Sequence, residues 1–150
     1  MPITIAAASV IKEVHLLSLL QASEREGFTF IRRFVDEWTA GINRFDRKGE
    51  RLFIASSAER IAGICGLNID PYIDDMSVGR VRRLYVIPEF RQSGIGRRLV
   101  QSVIEAARDV FQELRLRTTD LSASRLYERL GFRVVQGIPD CTHVRSLTDR

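Results

Sequence analysis

Lysine is nearly missing from this chain: of its 23 basic residues, only Lys12 and Lys48 are not arginine. Cysteine is equally scarce. Cys65 and Cys141 lack CxxC spacing, so neither a zinc site nor a disulfide framework is expected, and they read as a buried small side chain and a loop thiol. The two histidines, His15 and His143, are far apart with no clustered carboxylate or thiol, which argues against any metal. No apolar run reaches about 18 residues, and Pro2 to Ser9 has neither a basic leader nor the apolar length of a signal peptide. A cytoplasmic protein with no membrane partner is expected.

What is present is 150 residues that are 45% hydrophobic, enough for one core and little more, so residues 1–150 read as a single domain. The net charge of +4 favours anionic partners. The arginines are spread along the chain without zinc-finger spacing, a basic-region helix or an aromatic RNA-binding signature, so no nucleic acid is expected. A phosphate-bearing cofactor suits the same charge.

The order of elements reads as follows. Ile3 to Ala6 is β-prone, and Ser9 can cap a helix carrying Val10, Val14, Leu17 and Leu20 on one face. After Gly27, a second apolar face is formed by Phe30, Ile31, Phe34, Val35 and Trp38 and ends near Gly41. Leu52 to Ser56 and Ile61 to Ile69 form a hairpin. A polar loop from Asp70 leads to a strand, Val81 to Ile87, closed by Pro88. A helix from Ile95 to about Phe111 and a strand from Leu114 to Thr118 then complete a βαβ unit, which requires parallel strands. A short helix starting near Asp120 or Ser122 stops at Gly131, and strands Phe132 to Val135 and Thr142 to Leu147 follow. An α/β chain is expected: a mostly antiparallel sheet with one parallel βαβ pair and about four flanking helices.

Arg91-Gln92-Ser93-Gly94-Ile95-Gly96-Arg97-Arg98 lies between the end of a strand and the start of the crossover helix. A helix N-terminus offers unpaired N–H groups and the positive end of its dipole, glycines let the backbone approach an anion, and arginines add charge. A P-loop would need Gly-Lys-Ser/Thr, and a dinucleotide fingerprint would need a small residue where Leu99 stands. A plain helix start with turn glycines and solvated arginines is the alternative.

Arg82-Arg83-Leu84-Tyr85-Val86, Pro88, Arg91-x-x-Gly94-x-Gly96 and Ala123-x-x-Leu126-Tyr127-x-x-x-Gly131-Phe132 together resemble the two central motifs of GNAT-type N-acetyltransferases. The order of elements matches that family across essentially the whole chain. The resemblance implies an acyl-CoA-dependent enzyme with acetyl-CoA as acyl-donor substrate and no metal. Leu84, Tyr85 and Val86 would present backbone groups to the pantetheine arm, and residues 91 to 98 would cradle the pyrophosphate. Thr118 and Thr119 would line the far side, and Tyr127 would protonate the leaving thiolate.

Where many relatives carry a glutamate at the start of the cofactor strand, this chain has Arg80. No side-chain base is assigned: Asp74, Asp75, Glu37, Glu128 and His143 read as solvated groups, and a water chain could serve instead. The expected reaction is transfer of acetyl to a primary amine of a small molecule. Arg80, Arg82 and Arg83, with Arg83 on the face opposite the other two, suggest an acceptor that also bears a carboxylate. A non-catalytic acyl-CoA sensor and a protein N-acetyltransferase are the alternatives, and the sequence leaves room for a homodimer.

Overall fold

The computed structural model describes residues 2–148. Strand β1 (Thr4–Ala7) is followed by α1 (Glu13–Arg25) and α2 (Phe30–Ala40), then by β2 (Arg51–Ser57), β3 (Arg60–Ile69) and β4 (Val78–Val86). A 3₁₀ turn (Pro88–Phe90) leads into α3 (Ile95–Arg108), and β5 (Glu113–Leu116), α4 (Leu121–Arg129), β6 (Arg133–Val134) and β7 (His143–Ser146) complete the order. The strands form a sheet in the order β1-β2-β3-β4-β5-β7-β6. Its one parallel pair among the described residues is β4 with β5, joined by the α3 crossover as expected.

Both faces of the sheet are covered, which explains why β3 is buried along its whole length after Arg60. On one face α3 lays Leu99, Val100, Val103 and Ile104 against Ala62, Cys65, Leu67 and Val81. On the other, α1 and α2 bring Leu19, Ile31, Phe34 and Trp38 onto Leu52, Ile64 and Tyr85. Gly66 belongs to this second face because the Phe45 ring occupies the space where a β-carbon would stand.

The first helix differs from expectation. Lys12, not Ser9, holds the N-cap position, and the buried side chains are Leu19, Leu20, Ala22 and Ser23. Val10, Val14 and Leu17 are instead 78%, 61% and 52% exposed. The Leu16-Leu17 and Leu19-Leu20 pairs give this segment two overlapping apolar faces, and helical periodicity alone cannot select the one that packs. Cys141, expected as a loop thiol, is buried like Cys65.

Candidate active site

The cleft begins where the parallel pair ends. β4 and β5 are paired only from Val78 and Glu113 to Arg80 and Arg115. Beyond that point lies a cavity of about 1330 Å³, walled by Leu84, Tyr85 and Val86 on one side and by Arg117, Thr118, Thr119 and Asp120 on the other. Ligands of parallel strands bind at this carboxyl end.

A bulge in β4 shapes the wall. Ile64 faces Tyr85 and Gly66 faces Arg82, so Arg83 and Leu84 together oppose Cys65 alone. Arg83 accordingly adopts φ of 62°. A two-against-one insertion interrupts the ladder and turns the strand, and past Arg80 the β5-facing edge of β4 has no strand partner among the described residues. The bulge also overturns the expected alternation. Arg82 reaches Asn68, itself bonded to Asn43 just after α2, and Arg83 reaches Glu37 of α2, so both arginines lie on the α2 side of the sheet.

At the far end of the cavity, Gly94 caps α3 with φ of 79°, and the first turn carries no acidic residue. A β-carbon on Gly94 would meet nothing within 4 Å, so the backbone faces open space. Gly96, inside the first turn of α3, does not have positive φ, and Gln92 with φ of 65° is the second left-handed residue of the loop. Gln92, Gly94, Ile95, Gly96 and Arg97 line the cavity; Ser93 and Arg98 do not. The Ser93 hydroxyl donates to the Phe90 carbonyl at 2.6 Å, and Arg98 donates to the Ile3 carbonyl at 3.1 Å.

Arg91 lines the cavity as expected but is already engaged. Its guanidinium makes two 2.7 Å bonds to the Glu26 carboxylate, Nε donates to the Val86 carbonyl at 2.9 Å, and the group lies 5.6 Å from the Tyr85 ring centre. The Tyr85 hydroxyl donates to the same carboxylate at 2.7 Å. The Arg91 bonds hold the Glu26 carboxyl below the usual carboxylate range, with burial opposing and the Tyr85 bond assisting. Arg91 thereby ties the end of α1 to the loop that precedes α3.

Tyr127 stands on α4, whose first turn is fixed by the Asp120 side chain accepting from the Ala123 N–H at 3.2 Å. The ring is 6% exposed, lines the cavity and packs edge-on against Phe132. Burial pushes its hydroxyl pKa up, with smaller contributions from Cys65 and Asp120. The hydroxyl has no hydrogen-bond partner among the described residues.

Behind Tyr127, His143 is 3% exposed and not solvated as expected. The Thr118 N–H donates to Thr142 Oγ1 at 3.0 Å, and Thr142 Oγ1 lies 2.8 Å from His143 Nδ1. His143 Nε2 lies 2.9 Å from Ser124 Oγ, whose proton goes to Glu128 Oε2 at 3.0 Å. With that proton committed, Ser124 Oγ accepts from Nε2–H, and Nδ1 is left to accept from Thr142. Desolvation lowers the His143 pKa below 6.5, with Glu128 opposing. The unfolded chain therefore takes up this proton at higher pH than the folded one, so stability is expected to fall as pH drops below about 6.5. Thermal midpoints between about pH 7.5 and 5.5 should decline less in His143→Gln than in the unsubstituted chain.

The other candidate bases are not gathered at the cavity. Asp74 and Asp75 are exposed, Glu37 pairs with Arg83 at 3.4 Å, and Glu128 binds Ser124. Asp120 lines the cavity but serves as the α4 cap. Arg80 is closed into the structure by a buried ion pair with Asp70 at 3.3 Å, by the Asp140 carbonyl and by the Tyr72 ring. Sequence reasoning missed Phe28, Phe30 and Tyr72 as cavity walls. The turn at Gly27 and the Asp70-Pro71 loop were the available signals, since connections beside a cleft commonly carry its specificity.

The family model described as an acetyltransferase (GNAT) domain matches residues 48–134, more than half of the chain. The chain belongs to the GNAT acetyltransferases, a family that uses acetyl-CoA. Over 93 residues it is 33% identical to human N-acetyltransferase 8, a match that covers 57% of this chain and 40% of that relative. The matched stretch thus spans well under half of the relative's length. Among solved structures, a candidate acetyltransferase from Exiguobacterium sp. 255-15 is 28% identical, with a TM-score of 0.86 over 99% of this chain and 95% of that one. YncA of Salmonella typhimurium, solved with its cofactor acetyl-CoA, shares the fold at 14% identity, with a TM-score of 0.71 over 99% of this chain and 95% of that one. Among the described residues, no helix is long and apolar enough to cross a membrane, and no group of three or more His, Cys, Asp or Glu is placed to hold a metal ion.

Proposed function

We propose that residues 1–150 act as one domain that transfers acetyl from acetyl-CoA directly to the primary amine of a small molecule, one that also bears a carboxylate. The observation that carries this reading is the continuity of one cavity from the α3 N-terminus, past the β4 bulge and Tyr127, to Phe28, Phe30 and Tyr72. A donor at the first end and an acceptor at the second would meet beside the bulge. Unpaired N–H groups of the α3 first turn, with Arg97, suit the pyrophosphate. The open edge of Leu84 to Val86 suits an extended amide-bearing arm, and donors of that edge suit the carbonyl oxygen as it gains charge.

Tyr127 then donates toward the departing sulfur. Its raised pKa lies above that of a thiol, near 8.5, so a free tyrosinate is disfavoured. The hydroxyl acts by donating as the carbon–sulfur bond breaks. The acceptor amine loses its proton to water, since the acids at hand are committed to structural bonds.

Thiol release from acetyl-CoA, measured against a panel of amines, amino acids and polyamines, tests the reading. Release that requires an amine and saturates with acetyl-CoA is expected. Acetyl-CoA binding with no release for any amine would instead support a non-catalytic sensor.

A further inference from the structure

We infer that Arg83 is the residue that reads the acceptor: its guanidinium receives the carboxylate of an amino acid whose apolar side chain lies against Phe28, Phe30 and Tyr72. The inference rests on the acetyl-transfer reading and specifies the acceptor end of the same cavity.

Arg83 carries an incompletely satisfied charge. The Arg83 side chain is 10% exposed, yet Nε is buried with no partner among the described residues, and its ion pair with Glu37 is a long 3.4 Å. Buried polar groups are ordinarily bonded, and an underpaired buried guanidinium is costly. The neighbours do not relieve it. Burial first, and then the like charge of Arg82, disfavour the charged form of Arg83, with Glu37 and Tyr72 opposing, and the contact of Arg82 itself, to Asn68 at 3.4 Å, is also long. Glu50 is committed to Asn68, the Ile69 N–H and the Arg47 N–H, and Asp70 to Arg80 and the Tyr72 N–H.

Backbone strain supports the same conclusion. A side chain as large as arginine seldom occupies φ of 62°. Here that conformation belongs to the β4 bulge, and Arg83 is among the residues that line the cavity. Strain of this kind is found where structure serves a site. A guanidinium whose one ion pair is this long keeps N–H donors for a carboxylate, and such a bond fixes the orientation of the amine the acceptor carries.

Phe28, Phe30 and Tyr72 supply an apolar lining to the same cavity. Phe28 and Tyr72 are 43% and 52% exposed although they border a cavity, and the Phe28 and Phe30 rings lie 5.7 Å apart. Aromatic rings left open beside a few convergent polar groups are what an amphipathic ligand needs.

Steady-state kinetics with phenylalanine, phenylalaninamide, alanine and spermidine test this inference. The unsubstituted chain should favour phenylalanine over its amide and over alanine by about tenfold or more in kcat/KM. Arg83→Asn should bring the acid-to-amide ratio to within about threefold of unity, chiefly through KM for the acid. Asparagine tolerates the left-handed backbone, so the thermal midpoint should not fall. Arg83→Lys, which keeps the charge and loses the fork, should retain an intermediate preference. Equal use of acid and amide by the unsubstituted chain, or full preference in Arg83→Asn, overturns the role of Arg83 and leaves acetyl transfer standing. Absence of acetylated product with every amine overturns both.

Discussion

Replacing Tyr127 by phenylalanine is expected to lower turnover by about 10²-fold or more while acetyl-CoA affinity stays within a few fold. The ring packs against Phe132 and His143 and would keep those contacts. Only the hydroxyl is lost, and it borders the cavity with no hydrogen-bond partner among the described residues, so its removal breaks no bond that holds the fold. The thermal midpoint should therefore hold. Loss of turnover in a protein as stable as the parent separates proton donation from packing. Parental turnover in the variant, under conditions where the chemical step limits the rate, would make Tyr127 a core residue and nothing more.

A Gly94→Val, Gly96→Val double variant should lose the stabilisation that acetyl-CoA confers, about 2.7 kcal/mol at about 100 times its Kd. The two positions contribute differently. At Gly94, φ of 79° opposes a β-branched side chain, so valine itself lowers stability by about 1–2 kcal/mol. At Gly96 a β-carbon would stand 3.6 Å from Leu126 and 3.8 Å from Val86, which is ordinary contact, so the helix tolerates it while the cavity is narrowed. Gly96→Val alone is thus the cleaner test of the loop. Thermal shifts with and without acetyl-CoA decide: a folded variant that keeps the full shift would remove this loop from the binding site.

Much of this arrangement is legible in the amino-acid sequence. The α3 face of Leu99, Val103 and Ile104 and the Asp120 start of α4 follow from periodicity and capping, which are written in consecutive residues. The parallel β4–β5 pair follows from a helix lying between two strands. The glycine-bearing loop announced a helix N-terminus, and the cavity does begin there.

Other features had no local signature. α1 packs a different face from the one its spacing suggested, because the Leu16-Leu17 and Leu19-Leu20 pairs make two faces almost equally apolar. The Arg83 bulge reversed a side chain that strict strand alternation sends the other way, and an inserted residue is invisible until the partner strand's register is known. Arg91 was read as a free phosphate ligand, yet its partner Glu26 lies 65 positions earlier in the chain. Arg80 and His143 were read without the partners that bury them.

The sequence by itself determined the order of elements, the parallel unit and the glycine loop that starts α3, because each depends on neighbours within a few residues. Tertiary structure alone decided which arginines are consumed by Asp70 and Glu26 and which one is left underpaired at the cavity. Ion pairing depends on where distant elements come to rest, and a single bulge in β4 sets that for Arg83.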